Sequence, residues 1–155
     1  MAIRGEVLFK GIQGERKDDS SVIYAFSQSC SMPMDQYSGI PTGSRKYDAF
    51  MVQKEIDRAT PELWKALTSG QTLETVTITL YQIAKDTGTE TAYFKFTLKS
   101  ARITAIHDYM PTTFEDTGNA IGHLEEIFLV ANEYEWENIL AKTQNVDENF
   151  FNQKA

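Results

Sequence analysis

The 155-residue sequence has few of the residues that build cross-links and metal centres. Cys30 is its only cysteine, and His107 and His123 are its only histidines. A single cysteine excludes an intrachain disulfide, and it also excludes a metal cluster held by several thiolates. The two histidines leave little room for imidazole-based catalysis.

Long apolar runs are also missing, and no stretch approaches the length that spans a membrane. The first residues, Met1 to Glu6, lack the charged-then-apolar pattern of a secretory signal. We therefore expect no membrane insertion and expect the protein to be made and folded in a cytosol. Any export is expected to proceed without a Sec-type signal peptide.

Basic residues are outnumbered, with 15 Lys and Arg against 22 Asp and Glu, which gives a formal net charge of -7. This balance argues against a nucleic-acid partner, because phosphate binding needs clustered Lys and Arg. Self-assembly would have to bury enough surface to overcome charge repulsion. Hydrophobic content of 41% and charged content of 24% are ordinary for a globular chain, and the length predicts a single domain over 1–155.

Apolar and polar residues alternate with a period of two along much of the chain, which predicts β-strands. The alternation shifts phase between Leu98 and Ala101, and this indicates a β-bulge near Lys99-Ser100. Aromatic residues make up 12% of the chain and lie in phase on these strands, so core packing is the expected role. The tail over 138–155 is either a short closing strand or only partly ordered. The predicted strands are Ile3–Phe9, Val22–Ser31, Tyr47–Glu55, Thr72–Ile83, Thr91–Ile106 and Leu124–Glu137.

One segment reads as an α-helix. Thr60 is a good N-cap, Pro61 suits the first helical position, and Gly70 supplies a left-handed residue that ends the helix. An apolar stripe at helical spacing is expected to pack on the barrel. That stripe comprises Leu63, Trp64 and Leu67. The predicted fold is mainly β, an antiparallel two-sheet β-barrel with one short docked α-helix.

Candidate catalytic groups are weak. His107 and Asp108 are adjacent at a strand end, where neighbouring side chains point to opposite faces. His123 stands near Glu125 and Glu126, but a zinc site needs three or four converging ligands. Cys30 lacks a positioned histidine, and Gly11-Ile12-Gln13-Gly14 lacks the third glycine of a dinucleotide fingerprint. We therefore assign no catalytic, cofactor-binding or metal-ligating residue.

The order of elements and several short motifs resemble the haemolysin-coregulated proteins (Hcp), the tube subunits of bacterial type VI secretion systems. The most specific of these motifs is the strand-to-helix signature around Lys54, Asp57 and Pro61. The similar segments are Gly14–Asp18, Lys54–Ala66, Gly70–Leu73, Tyr93–Ile106, His123–Ile127 and Tyr134–Trp136.

The resemblance implies a two-sheet β-barrel that forms a six-membered ring. Such rings stack into a tube inside a contractile sheath, and the tube is expelled toward a target cell. The implied partners are other copies of the chain, the sheath, spike and baseplate proteins, and effector cargo in the ring lumen.

Polarity and loop length suggest which surfaces would serve such an assembly. The polar end of the second strand, Ser27, Gln28 and Ser29, is a candidate lumen surface. The turn Gly14–Ser20 and the irregular segment Met32–Arg45 are candidates to reach the next ring. Candidate stacking or inter-subunit residues are Arg16, Lys17, Asp18, Tyr37, Arg45, Lys46, Lys54, Asp57, Glu62 and Lys65.

Two other classes of function remain open on the sequence. One is a small secreted effector or ligand-binding β-barrel that acts as a monomer. The other is a hydrolase that uses His107 or His123, for which the sequence offers no supporting constellation.

Overall fold

The computed structural model describes residues 4–112, 114 and 122–148. Features predicted at Ile3 and in the last seven residues lie outside this part of the chain. None of the helices in the described part is long and apolar enough to cross a membrane. The elements are β1 (Gly5–Phe9), β2 (Ser21–Ser27), β3 (Cys30–Ser31), β4 (Lys46–Tyr47), β5 (Phe50–Glu55), α1 (Thr60–Ser69), β6 (Thr72–Ile83), β7 (Glu90–Tyr109), β8 (Leu124–Val130), β9 (Glu133–Asn138) and β10 (Thr143–Glu148).

The strands pair antiparallel in the order β10-β9-β7-β6-β1-β2-β5-β8, and a further pairing of β7 with β8 closes a six-stranded barrel. Strand β7 makes this possible by changing partners along its length. Residues 94–99 pair with β9, and residues 102–109 pair with β8. Strands β9 and β10 therefore extend the sheet beyond the barrel. The predicted fold class is confirmed.

The phase change predicted in the long strand is confirmed, but the β-bulge predicted near Lys99-Ser100 is wrong. Leu98 and Ala101 are both buried, and Ser100 between them has a φ of 51°. The pairing of β7 with β6 keeps one register across this point, so the strand bends through a left-handed residue without an extra residue in the ladder. The predicted continuation to Ala105 is wrong. A register shift between Ile103 and Ala105 leaves Ala105 exposed.

The single strand predicted over Leu124–Glu137 is two strands. The main-chain N–H of Ala131 donates to the Tyr134 hydroxyl at 3.2 Å, which stabilises the turn between β8 and β9. Ile127 and Leu129 are buried in the core, whereas Phe128 and Val130, the alternate residues of β8, are half-buried. The apolar run has no alternation of its own, so its phase could not be read from the residues. The tail closes with β10, which pairs with β9 over 143–148.

Helix α1 ends as predicted, because Gly70 adopts a left-handed conformation with a φ of 67°. Its start differs. Ala59 is the N-cap and Thr60 is already helical. The predicted stripe is also partly wrong, since Leu63 and Ala66 are buried while Trp64 remains 38% exposed. Trp64 lies at the edge of the contact with the barrel.

The irregular segment predicted over Met32–Arg45 is a projecting hairpin. Strands β3 and β4 form a separate two-stranded sheet, and the ribbon continues through a bridge between Met34 and Pro41. The Asp35 carboxylate accepts the N–H of Tyr37 at 2.9 Å and orders the tip. We call residues 30–47 the hairpin from here on.

Candidate functional site

An ionic cluster lies buried between helix α1 and the barrel. Lys54 on β5 and Glu125 on β8 are cross-strand partners, and both side chains are 0% exposed. The Lys54 ammonium contacts Glu125 Oε1 and lies 2.8 Å from Asp57 Oδ1. The Thr60 hydroxyl donates to Glu125 Oε1 at 2.9 Å. One cation is thus shared by two carboxylates, which is how a buried charge is normally tolerated.

Asp57 connects this cluster to the start of the helix. Its Oδ1 accepts the N–H of Ala59 at 2.9 Å, and its Oδ2 accepts the Ser21 hydroxyl at 2.6 Å. The predicted role of Thr60 as N-cap is therefore wrong. Asp57 captures the free N–H near the helix start, while the Thr60 hydroxyl accepts the N–H of Asp57 at 3.1 Å.

The prediction that Lys54 and Asp57 are exposed for contact with another subunit is wrong, because both residues belong to the buried ionic cluster. Their side chains are 0% and 6% exposed and are engaged within the chain. Glu62 and Lys65, predicted beside them, are exposed on α1.

Glu125 is the buried acid at the centre of the cluster. Burial raises the pKa of its carboxyl, and the opposing effects of Lys54 and the Thr60 hydroxyl are smaller. Asp108 on β7 is the cross-strand partner of Glu125 on the other side, and it also raises the pKa of Glu125. Asp108 in turn accepts the Trp64 indole N–H at 2.9 Å. The cluster therefore joins three strands to the helix.

The turn Gly14–Ser20 packs against the segment before the helix. Glu15 Oε1 accepts the N–H of Arg58 at 2.8 Å. A Cβ at Gly14 would lie 2.5 Å from the main-chain oxygen of Asp19, so only glycine fits there. Arg16 Nε lies 3.0 Å from Glu6 Oε1, which ties the turn to β1. Two of the motifs that carry the family resemblance, Gly14–Asp18 and Lys54–Ala66, thus meet in space.

Two of the candidate residues on this turn face solvent. Lys17 and Asp18 are exposed. The Ser20 hydroxyl donates to Asp18 and is the largest effect that lowers the pKa of that carboxyl. Any contact of these residues with another subunit stays a prediction.

The hairpin carries apolar side chains into solvent. Tyr37 at its tip is 100% exposed and Ile40 is 63% exposed. Met32 and Met34 on the outgoing arm are also exposed. Lys46 is exposed near the base, where Arg45 instead contacts β10 through Asp147, with Nε 2.5 Å from Oδ2.

The candidate lumen residues lie where β2 runs into the hairpin. Ser27 and Ser29 are exposed, and the Ser29 hydroxyl donates to Asp48 at 2.5 Å. Gln28 is half-buried, and its Oε1 accepts the Trp136 indole N–H at 2.9 Å. Gln28 therefore supports β9 rather than standing free between the two serines.

The histidines lie on the barrel surface. His107 is the cross-strand partner of Glu126 and stacks on Tyr109, with 5.2 Å between ring centroids. His123 is exposed ahead of β8. Across the described residues, no group of three or more His, Cys, Asp or Glu side chains is placed to hold a metal ion.

The fold and these surfaces define a small β-barrel protein whose exposed apolar side chains include those of a projecting hairpin. The chain belongs to the Hcp family of type VI secretion. The family model described as "Type VI secretion system effector, Hcp" matches residues 3–137.

Individual relatives support the assignment to this family. The chain is 33% identical over 135 residues to the "Major exported protein" of Pseudomonas aeruginosa, covering 86% of this chain and 77% of that protein. The crystal structure of an Hcp protein superposes with a TM-score of 0.84 at 24% identity, over 95% of this chain and 98% of the other. The Hcp1 protein of the E. coli EAEC 042 pathovar gives a TM-score of 0.77 at 27% identity, over 95% and 99%.

Proposed function

We propose that this protein is the tube subunit of a type VI secretion system. Six copies form a ring, and the rings stack into the inner tube that is expelled from the cell. In that role the subunit contacts other copies of itself, the sheath, spike and baseplate proteins, and effector cargo. It folds in the cytoplasm before export, and its role is structural rather than catalytic.

The hairpin is the observation that carries the proposal. It projects from the barrel with Tyr37 and Ile40 largely or fully exposed at its tip. Exposed apolar area of this kind gains stability when it is covered by another protein surface. A second copy of the chain is the occupant we propose, because ring stacking brings copies into repeated contact. The net charge of -7 opposes association, and burial of these apolar side chains would help to overcome that repulsion.

The ring lumen would be lined from the end of β2. Ser27 and Ser29 place hydroxyl groups on an exposed surface, and the Ser29 hydroxyl donates to Asp48. A polar, weakly structured wall suits cargo of varied sequence, since it offers hydrogen bonds and no deep apolar pocket. Gln28 contributes to the same wall by holding Trp136 in place.

Size-exclusion chromatography with light scattering tests the proposal. A ring of six subunits has six times the 17.6 kDa chain mass. We expect this species at micromolar concentration in the purified protein. A monomer under the same conditions would contradict the proposal and would favour the monomeric effector or ligand-binding barrel instead.

A further inference from the structure

Strand β10, the last strand among the described residues, holds the base of the hairpin through one carboxylate. Asp147 Oδ2 accepts hydrogen bonds from Arg45 Nε, at 2.5 Å, and from the Tyr47 hydroxyl. Arg45 Nη2 also donates to the main-chain oxygen of Glu148 at 2.5 Å. Tyr47 belongs to β4, and Arg45 is the residue immediately before that strand. Asp147 therefore binds the arm by which the hairpin returns to the barrel.

Aromatic stacking also fixes this arm. The Tyr47 ring lies 4.2 Å from the Tyr134 ring, centroid to centroid, and 6.4 Å from the Trp136 ring. Tyr134 is also the cross-strand partner of Asp147 in the pairing of β9 with β10. The Tyr47 side chain is therefore held at its ring by β9 and at its hydroxyl by β10.

The hairpin needs such an anchor because its own pairing is slight. Strands β3 and β4 pair through two residues each, and a two-stranded ribbon alone is marginally stable in water. The side chains over 31–44 are exposed, so they add no packing against the barrel. The direction of the hairpin therefore depends on contacts at its base.

The anchor comes from a segment beyond the region that matches the family model. That match ends at residue 137, whereas β10 covers Thr143–Glu148. The contact also joins residues about a hundred positions apart in the sequence, for example Arg45 with Asp147. The C-terminal strand thus adds a tertiary constraint to the hairpin that residues 3–137 cannot supply by themselves.

We propose that Asp147 is a positioning residue for ring stacking, which sets the angle at which the hairpin leaves the barrel. This rests on the proposed function, since the hairpin needs a fixed direction when it docks on another copy. A hairpin already held in its docking orientation loses less conformational entropy on binding, so the contact between rings is stronger.

The test compares Asp147→Ala with Glu148→Ala. Both remove one negative charge from β10, but Glu148 contributes only its main-chain oxygen to the anchor, which alanine retains. Hydrogen exchange is measured at the hairpin amides of Asp35 and Thr42, which are hydrogen-bonded to Ile40 and Pro33. We expect roughly tenfold faster exchange in Asp147→Ala, because the anchored state no longer restricts local opening, and no change in Glu148→Ala.

Ring stacking is measured on the same samples by sedimentation velocity over a range of concentrations. We expect Asp147→Ala to keep the ring mass and to need roughly tenfold more protein to associate end to end. Tyr47→Phe provides a second variant that keeps the aromatic stack and removes only the hydroxyl. It should change exchange and stacking in the same direction by a smaller factor.

The outcomes separate this inference from the proposed function. A wild-type protein that stays monomeric defeats the proposed function, and hairpin exchange in that monomer still tests the anchor. Equal exchange at Asp35 and Thr42 in wild type and Asp147→Ala overturns the inference in either species. Faster exchange with unchanged sedimentation overturns it as well, because the hairpin would then stack without being positioned.

Discussion

Lys54 and Glu125 face each other across β5 and β8 with both side chains completely buried. Asp108 continues the same row on β7 as the next cross-strand partner of Glu125. Three ionisable residues therefore lie side by side on three neighbouring strands of the barrel. Helix α1 packs over them through Thr60 and Trp64. The strand-to-helix motif of the sequence encodes this junction.

Removing the cation should destabilise the fold. Lys54→Met keeps most of the side-chain volume but leaves Glu125 and Asp57 without a positive partner. We expect the free energy of unfolding to fall by about 3–5 kcal/mol, as when one member of a buried ion pair is removed. Urea unfolding at one fixed protein concentration measures the change. Lys65→Met, on the exposed face of α1, should stay within about 0.5 kcal/mol, and an equal loss in the two variants would contradict the account.

The cluster also predicts a dependence of stability on pH. Burial raises the pKa of Glu125 above its ordinary 4.5, so the folded state binds this proton more tightly than the unfolded state. The stabilisation from that proton is fully present below about pH 4.5 and is lost as the pH rises through the folded-state pKa of Glu125. Relative to Glu125→Gln, the wild type should therefore lose stability as the pH rises.

Unfolding in urea at a series of pH values from 4 to 8 measures this difference. Glu126→Gln is the matched control, because Glu126 is the next residue on β8 and points away from the cluster. The difference in unfolding free energy between Glu126→Gln and the wild type should not show the pH dependence expected for Glu125→Gln. A wild type that gains stability over Glu125→Gln as the pH rises would mean that the Lys54 pair outweighs burial.

Two neighbouring positions on α1 should respond differently to truncation. Leu63 is completely buried, so Leu63→Ala should cost about 2–5 kcal/mol through the lost burial and the cavity left behind. Trp64 is partly exposed and donates one hydrogen bond to Asp108, so Trp64→Ala should cost about 1–2 kcal/mol. Thermal or urea unfolding compares the two, and a Trp64→Ala cost equal to that of Leu63→Ala would place the indole in the core.

The tip of the hairpin should affect assembly without affecting folding. Tyr37→Ser and Ile40→Ser alter exposed side chains, so the stability of the isolated subunit should change by less than about 0.5 kcal/mol. End-to-end association of rings should weaken, as measured by sedimentation. Leu140→Ser, at another exposed apolar position, is the control. Unchanged association in the tip variants would exclude the tip from the stacking contact.

Residues with strong local signals were predicted well. The strand Thr72–Ile83 has the predicted bounds, because its alternation is regular and its flanking residues include Gly70 and the Asp86-Thr87-Gly88 turn. Gly70 ends the helix because glycine adopts the left-handed conformation without steric cost, and this property depends on that residue alone. The phase change near Ser100 was also visible, since it shifts a long apolar alternation.

Other features depended on tertiary contacts. Lys54 lies in phase with Phe50 and Val52, so its inward direction was present in the pattern, but charge argued for exposure. Asp57 is close in sequence, but the second carboxylate that makes this burial tolerable, Glu125, lies 71 residues further along the chain. The hairpin has no buried side to create a period of two, and its anchor at Asp147 comes from another strand.

Negative-stain electron microscopy of the purified protein tests the central proposal most directly. The account predicts rings with six-fold symmetry, and short end-to-end stacks of them as the protein concentration rises. Fields that contain only particles of the size of a single 17.6 kDa barrel would contradict it.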